Sequence, residues 1–183
     1  MKNYNGFTMI EVLVAMIIIS VGLLGVAGLF AESQKSIQEV QQRSIALLQA
    51  EDILARMNAN VDGLGNYDGV MAAMPAQPAT LCNTGVTCSP ADTAAYDLWR
   101  WATAIHGAGI KNQADANVGG LLLPIACIDV NGNNVRLTIA WRGKYARPDA
   151  SPGINCGNGN ANFASGGVNN ALRRLMVIET TVS

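Results

Sequence analysis

Residues 12–31 are twenty consecutive uncharged positions, VLVAMIIISVGLLGVAGLFA, with Ser20 the only polar side chain. At the helical rise such a run covers about 30 Å, the thickness of a hydrocarbon core, so it predicts a membrane-spanning helix. It is longer than the apolar core of a secretory signal, and Leu29-Phe30-Ala31 is a poor A-x-A cleavage site. Lys2, the only basic residue before the run, orients the amino terminus toward the cytoplasm. Glu11 stands just inside the apolar stretch. A carboxylate at membrane depth costs roughly 2.5–3.5 kcal/mol. Either Glu11 lies at the interface, or a cation from another chain neutralises it. Gly22, Gly25 and Gly28 punctuate the span; they either permit close helix packing or let the stretch unwind outside lipid.

No Gly or Pro occurs from residue 32 to Met57. Ile37, Val40, Leu47, Leu48, Leu54 and Met57 predict one broad apolar face, and Glu39 with Arg43 and Asp52 with Arg56 are opposite charges at i,i+4. One helix of about fifty residues follows, far longer than a globular domain needs. Residues 60–88, rich in Gly, Ala, Pro and Asn, read as a connecting loop. Ser89-Pro90-Ala91-Asp92 starts a second helix, 90–106, with Leu98, Trp101, Ala102 and Ile105 on one face and Gly107 ending it. Trp99 and Trp101 read as packing residues. An apolar strand over 124–130 leads to a turn at Asn131-Gly132-Asn133-Asn134. Val135, Leu137, Ile139 and Trp141 then alternate with Arg136, Thr138, Ala140 and Arg142, predicting a half-buried strand. Residues 143–172 form a long loop, and 174–182 a third strand. Helix followed by antiparallel sheet makes an α+β head.

Cys82, Cys88, Cys127 and Cys156 contain no C-x-x-C pair, and His106 is the only histidine. This excludes the usual zinc spacings and favours two disulfides in an oxidising compartment. Three pairings are possible. The favoured one is Cys82–Cys88, closing a short Asn-Thr-Gly loop, with Cys127–Cys156, tying a strand to the late loop. Net charge is -1, which excludes a strong bulk attraction to nucleic acid or to an anionic membrane surface. No catalytic or cofactor set stands out. His106 at a helix end is accounted for by a favourable helix-terminus interaction. Asp129-Val-Asn131-Gly-Asn133 departs from a calcium loop in its glycine position and in Ala140, where glutamate is needed. Arg142, Lys144 and Arg147 read as a solvated basic edge.

Gly6-Phe7-Thr8-Met9-Ile10-Glu11 before an apolar span resembles the processing site of type IV prepilins. The resemblance implies a leader of residues 1–6, cleavage after Gly6 by a prepilin peptidase and methylation of the new amino group on Phe7. It also implies that Glu11, with a neighbour's Phe7 amine, acts in subunit assembly. The expected divisions are a membrane and filament-core helix over 7–31, an amphipathic spine over 32–58 and a loop-rich head over 59–183 with its sheet in 124–182. The head resembles the pilin fold. Asp97-Leu98-Trp99 and Trp141 resemble the PilV family of type IV pilus modification proteins, which are minor pilins. That implies a structural subunit, not an enzyme, which promotes pilus assembly near the tip and supports adhesion and twitching motility. Its partners would be other minor pilins, the major pilin and a large tip adhesin. It would sit in the bacterial inner membrane with a periplasmic head, then in the pilus fibre. The alternatives are a pseudopilin I-like subunit of type II secretion and a membrane-tethered DNA or surface receptor.

Overall fold

A computed structural model describes residue 6 and residues 8–83, 85–115, 117–149 and 151–183. The chain divides into two compact units, Met1–Val40 and Gln41–Ser183. Helix α1, Met9–Ala59, runs through the division. In the first unit it is solvent-exposed throughout its apolar run, and it is long and apolar enough to cross a membrane. The hydroxyl of Ser20 donates to the Met16 carbonyl at 2.7 Å, so the one polar side chain of the span is satisfied within its own helix.

In the second unit the rest of α1 packs on a four-stranded antiparallel sheet in the order β1-β2-β3-β4. The strands are β1 (Gly69–Met71), β2 (Ile125–Asn131), β3 (Asn134–Arg142) and β4 (Arg173–Thr181). This is the expected α+β arrangement of a long helix on an antiparallel sheet. The buried stripe of α1 differs from the expected one. Ala46, Ala50, Ile53 and Met57 are fully buried, whereas Leu47 and Leu48 are 46% and 63% exposed. Ile37 and Val40 are exposed too, and Leu54 is half-buried. Alanines at i and i+4 let the helix backbone approach closely. The indole Nε1 of Trp101 uses that approach to donate to the Gln49 carbonyl at 2.6 Å.

Helix α2 (Pro90–Ile105) begins where Ser89 Oγ accepts from the Asp92 amide at 3.1 Å, with proline opening the first turn. Trp101, Ala102 and Ile105 are fully buried and Leu98 joins their edge. Gly107 ends the helix with φ +65°, and a Cβ there would overlap the Gly119 carbonyl, so no other residue fits.

Two further differences have tertiary causes. The stretch read as a connecting loop holds a 3-10 helix, Val61–Tyr67, and edge strand β1, which pairs with Ala126–Ile128. Strand β3 alternates only at its start; Thr138 to Trp141 are all buried. The late loop covers the outer face there, where Phe163 and Cys156 pack on Ile125, Cys127 and Ala140 as a second core.

Candidate assembly site and the joints of the head

Glu11 lies in the first turn of α1 and is exposed, as is Gly6. A carboxylate in a first turn is stabilised by the helix dipole, so the start of α1 tolerates its charge. Among the described residues, a Cβ on Gly6 would meet nothing within 4 Å. Phe7 and residues 1–5 lie outside the described residues.

Within the head, a polar joint ties α1 to α2 and to the 3-10 helix. Arg56 Nη1 donates to Asp97 Oδ1 at 3.0 Å, and its Nε donates to Asp52 Oδ2 at 3.0 Å. Tyr67 Oη donates to Asp97 Oδ2 at 2.7 Å. Asn60 Nδ2 reaches both Tyr67 Oη, at 3.2 Å, and the Pro90 carbonyl, at 2.8 Å. Burial, and then the hydrogen bond to Asp97, push the Tyr67 phenol far above its ordinary pKa. Burial works against the Arg56 charge, but the Asp52 and Asp97 carboxylates outweigh it and raise its pKa. The i,i+4 pair Asp52–Arg56 was readable from spacing. The third partner, Asp97, lies 41 residues from Arg56 in sequence, and only the fold brings it in.

A second joint organises the late loop. Arg173, its side chain 0% exposed, donates from Nη2 to Asp149 Oδ2 at 2.6 Å and to the Ser151 carbonyl at 3.0 Å. Its Nη1 donates to the carbonyls of Ile154, at 2.7 Å, and Cys156, at 3.0 Å. Asn170, at φ +59°, donates to Asp149 and Asn158 and accepts from the Gly159 amide. Burial opposes the Asp149 charge, but the Ser151 amide and Arg173 overcome it and hold the carboxyl below its usual range.

Two disulfides join Cys82 to Cys88 and Cys127 to Cys156, each with Cα atoms 5.9 Å apart. With sequence separations of 6 and 29, chain-entropy loss stabilises by about 2 and about 3.5 kcal/mol respectively. Cys127→Ser should therefore lower the Tm of the full chain clearly more than Cys82→Ser. Equal shifts in calorimetry would show that loop closure is not what these bridges contribute.

His106 caps α2 and burial lowers its pKa. Its backbone amide donates to the Ala102 carbonyl at 3.0 Å, and its ring is half-buried.

Residues 1–27 match the family model of the prokaryotic N-terminal methylation motif, and residues 28–99 that of type IV pilin Tt1218. No curated protein and no solved structure matches the chain. The first match contains Gly6, Phe7 and Glu11; the second contains Arg56, Tyr67 and Asp97. The two matches together span 99 of the 183 residues. Over that length the chain is similar to an N-terminal methylation motif followed directly by a type IV pilin domain.

Proposed function

We infer that this chain is a minor pilin: a membrane-inserted subunit, processed by a prepilin peptidase, that works by packing with other pilins. The observation carrying this is the continuity of the methylation motif with a helix able to cross a membrane and with a pilin-fold head. On this reading the peptidase cuts after Gly6, and Phe7 becomes the methylated first residue. Glu11 then meets the Phe7 amine of a neighbouring subunit, which supplies the cation that a carboxylate in apolar surroundings requires. The apolar run carries no other charge, and its one polar side chain, Ser20, is satisfied within its own helix, so this pair also fixes register.

The Asp97-Leu98-Trp99 element, whose Asp97 accepts from Arg56 and Tyr67, supports the PilV-like assignment among minor pilins. Such a subunit promotes assembly close to the pilus tip, with other minor pilins, the major pilin and a tip adhesin as partners. It moves from the inner membrane, head in the periplasm, into the fibre. The two disulfides accord with that oxidising compartment.

Two substitutions test this. Gly6→Glu should leave the precursor uncut, whereas the wild-type chain should show an intact mass short of residues 1–6 and carrying one added methyl group. Glu11→Ala should leave the chain inserted, folded and cut, yet reduce its co-purification with other minor pilins by tenfold or more (about 1.4 kcal/mol). Normal incorporation of Glu11→Ala into pili would end the intersubunit role and return Glu11 to the interface.

A further inference from the structure

The charges of the head are sorted between its two ends. Strands β2, β3 and β4 run from an end marked by Arg142 opposite Arg173 to one marked by Asn134 opposite Thr181. At the second end Asp129, Arg136 and Glu179 sit in register across the sheet, and Asp68 accepts from the Val130 amide. Acid exceeds base there. That end lies beside the carboxy-terminal end of α1, whose chain continues through Val61–Tyr67 into β1.

The first end has the opposite character. Arg142, Lys144 and Arg147 follow one another as β3 leaves the sheet, and Lys144 and Arg147 are exposed. The Arg142 amide donates to the Leu122 carbonyl at 2.8 Å, so the basic turn lies directly against residues 118–123. There Val118, Leu122 and Leu123 are 58%, 51% and 41% exposed. Gln42 pins this loop to α1: its Oε1 accepts from the Leu122 amide at 2.9 Å, and its Nε2 donates to the Gly120 carbonyl at 3.3 Å. Gln42 is the second residue of the head unit. The exposed aliphatic loop and the basic turn therefore share the end of the head that holds Gln42, where the chain enters this unit.

We propose that this end of the head is a membrane-docking surface, seated on the anionic phospholipid of the bilayer that holds α1. Leu122, Leu123 and Val118 enter the interfacial layer, and Arg142, Lys144 and Arg147 face the phosphates. The pairing of aliphatic tips with cations suits a lipid interface, where each group meets its own layer. Each basic side chain close to an anionic surface contributes a binding term comparable to a surface salt bridge, and the tether of α1 removes most of the entropy cost of finding that surface. Lys144 and Arg147 also have interaction partners of their own; what reaches the lipid is the charge they carry. Docking parks the head against the bilayer before assembly, and drawing the subunit into a fibre must break it.

This surface requires that α1 is inserted in a bilayer, and the experiment separates the two. The full-length chain is reconstituted at low density into vesicles of phosphatidylcholine, with or without phosphatidylglycerol. Flotation reports insertion, and hydrogen exchange reports docking. The expected result is flotation with both vesicles. Exchange of residues 118–123 and 142–147 should slow by about fivefold or more only with phosphatidylglycerol, the shift that one basic residue at an anionic surface brings. The hairpin at Asn131–Asn134 should not change. The triple variant R142E/K144E/R147E should float equally and lose the protection. Failure to float with either vesicle overturns the membrane reading of α1. Flotation with equal exchange in both lipids overturns the docking surface alone. So does protection that depends on protein density, which would make this end a contact between subunits.

Discussion

Replacing Arg173 by methionine should cost the head about 3–5 kcal/mol, the usual penalty for removing one partner of a buried ion pair. The guanidinium, 0% exposed, serves Asp149 and three backbone carbonyls at once. Methionine fills most of its volume but donates nothing, so the carbonyls of Ser151, Ile154 and Cys156 lose their donors. The loop should detach from the outer face of β2 and β3, leaving the Cys127–Cys156 bridge as its main link. Asp149→Asn should also destabilise, because it leaves a buried cation without its countercharge. The double variant should lose less than the sum of the two, since no unpaired charge remains. Additive losses in thermal unfolding would show that Arg173 acts through the carbonyls alone.

The same pair sets an acid limit. The Asp149 pKa is lowered in the folded head, so the stability it contributes is present above the ordinary carboxylate range. That stability is lost as pH falls from about 4 toward the depressed folded value. Asp149→Asn should flatten this part of the pH profile. An unchanged acid profile in that variant would show that other carboxylates set the limit.

The second large effect is expected at Asp97. Asp97→Ala removes the acceptor of both Tyr67 and Arg56, at a cost of about 3 kcal/mol, the low end for breaking a buried pair, because Arg56 keeps Asp52. Tyr67→Phe removes one donor and leaves the ion pair, and should cost about 1.5–2 kcal/mol. The raised phenol gives an alkaline counterpart to the Asp149 limit. Stability is full below the ordinary tyrosine pKa of about 10 and is lost as pH rises through the folded value. In Asp97→Asn the phenol should titrate lower than in the wild type yet stay raised, since burial is the larger cause. A Tyr67 titration unmoved by Asp97→Asn would remove the aspartate from the account.

The sequence by itself determined the elements whose causes are local. The apolar run needs only its length to become a span-length helix. Ser89 and Pro90 start α2 through contacts within four residues, and the turn at Asn131–Asn134 closes β2 on β3 because Gly132 accepts φ +59°. What faces what was decided by the tertiary structure. Size alone pointed to Leu47 and Leu48, but the sheet accepts the helix where Ala46 and Ala50 permit the closest approach. Alternation in β3 predicted one wet face, and Ile154, Cys156 and Phe163 of the late loop dry it. Strand β1 has three residues and too little sequence signal to register; it exists because β2 offers it an edge. Asp97 could be singled out by its neighbours in sequence, whereas its roles toward Tyr67 and Arg56 required residues 30 and 41 positions away. Nothing in the order of residues marks Arg173 as the centre of its loop. Pairing over such distances depends on where the packed backbone places each group, and only the whole head fixes that.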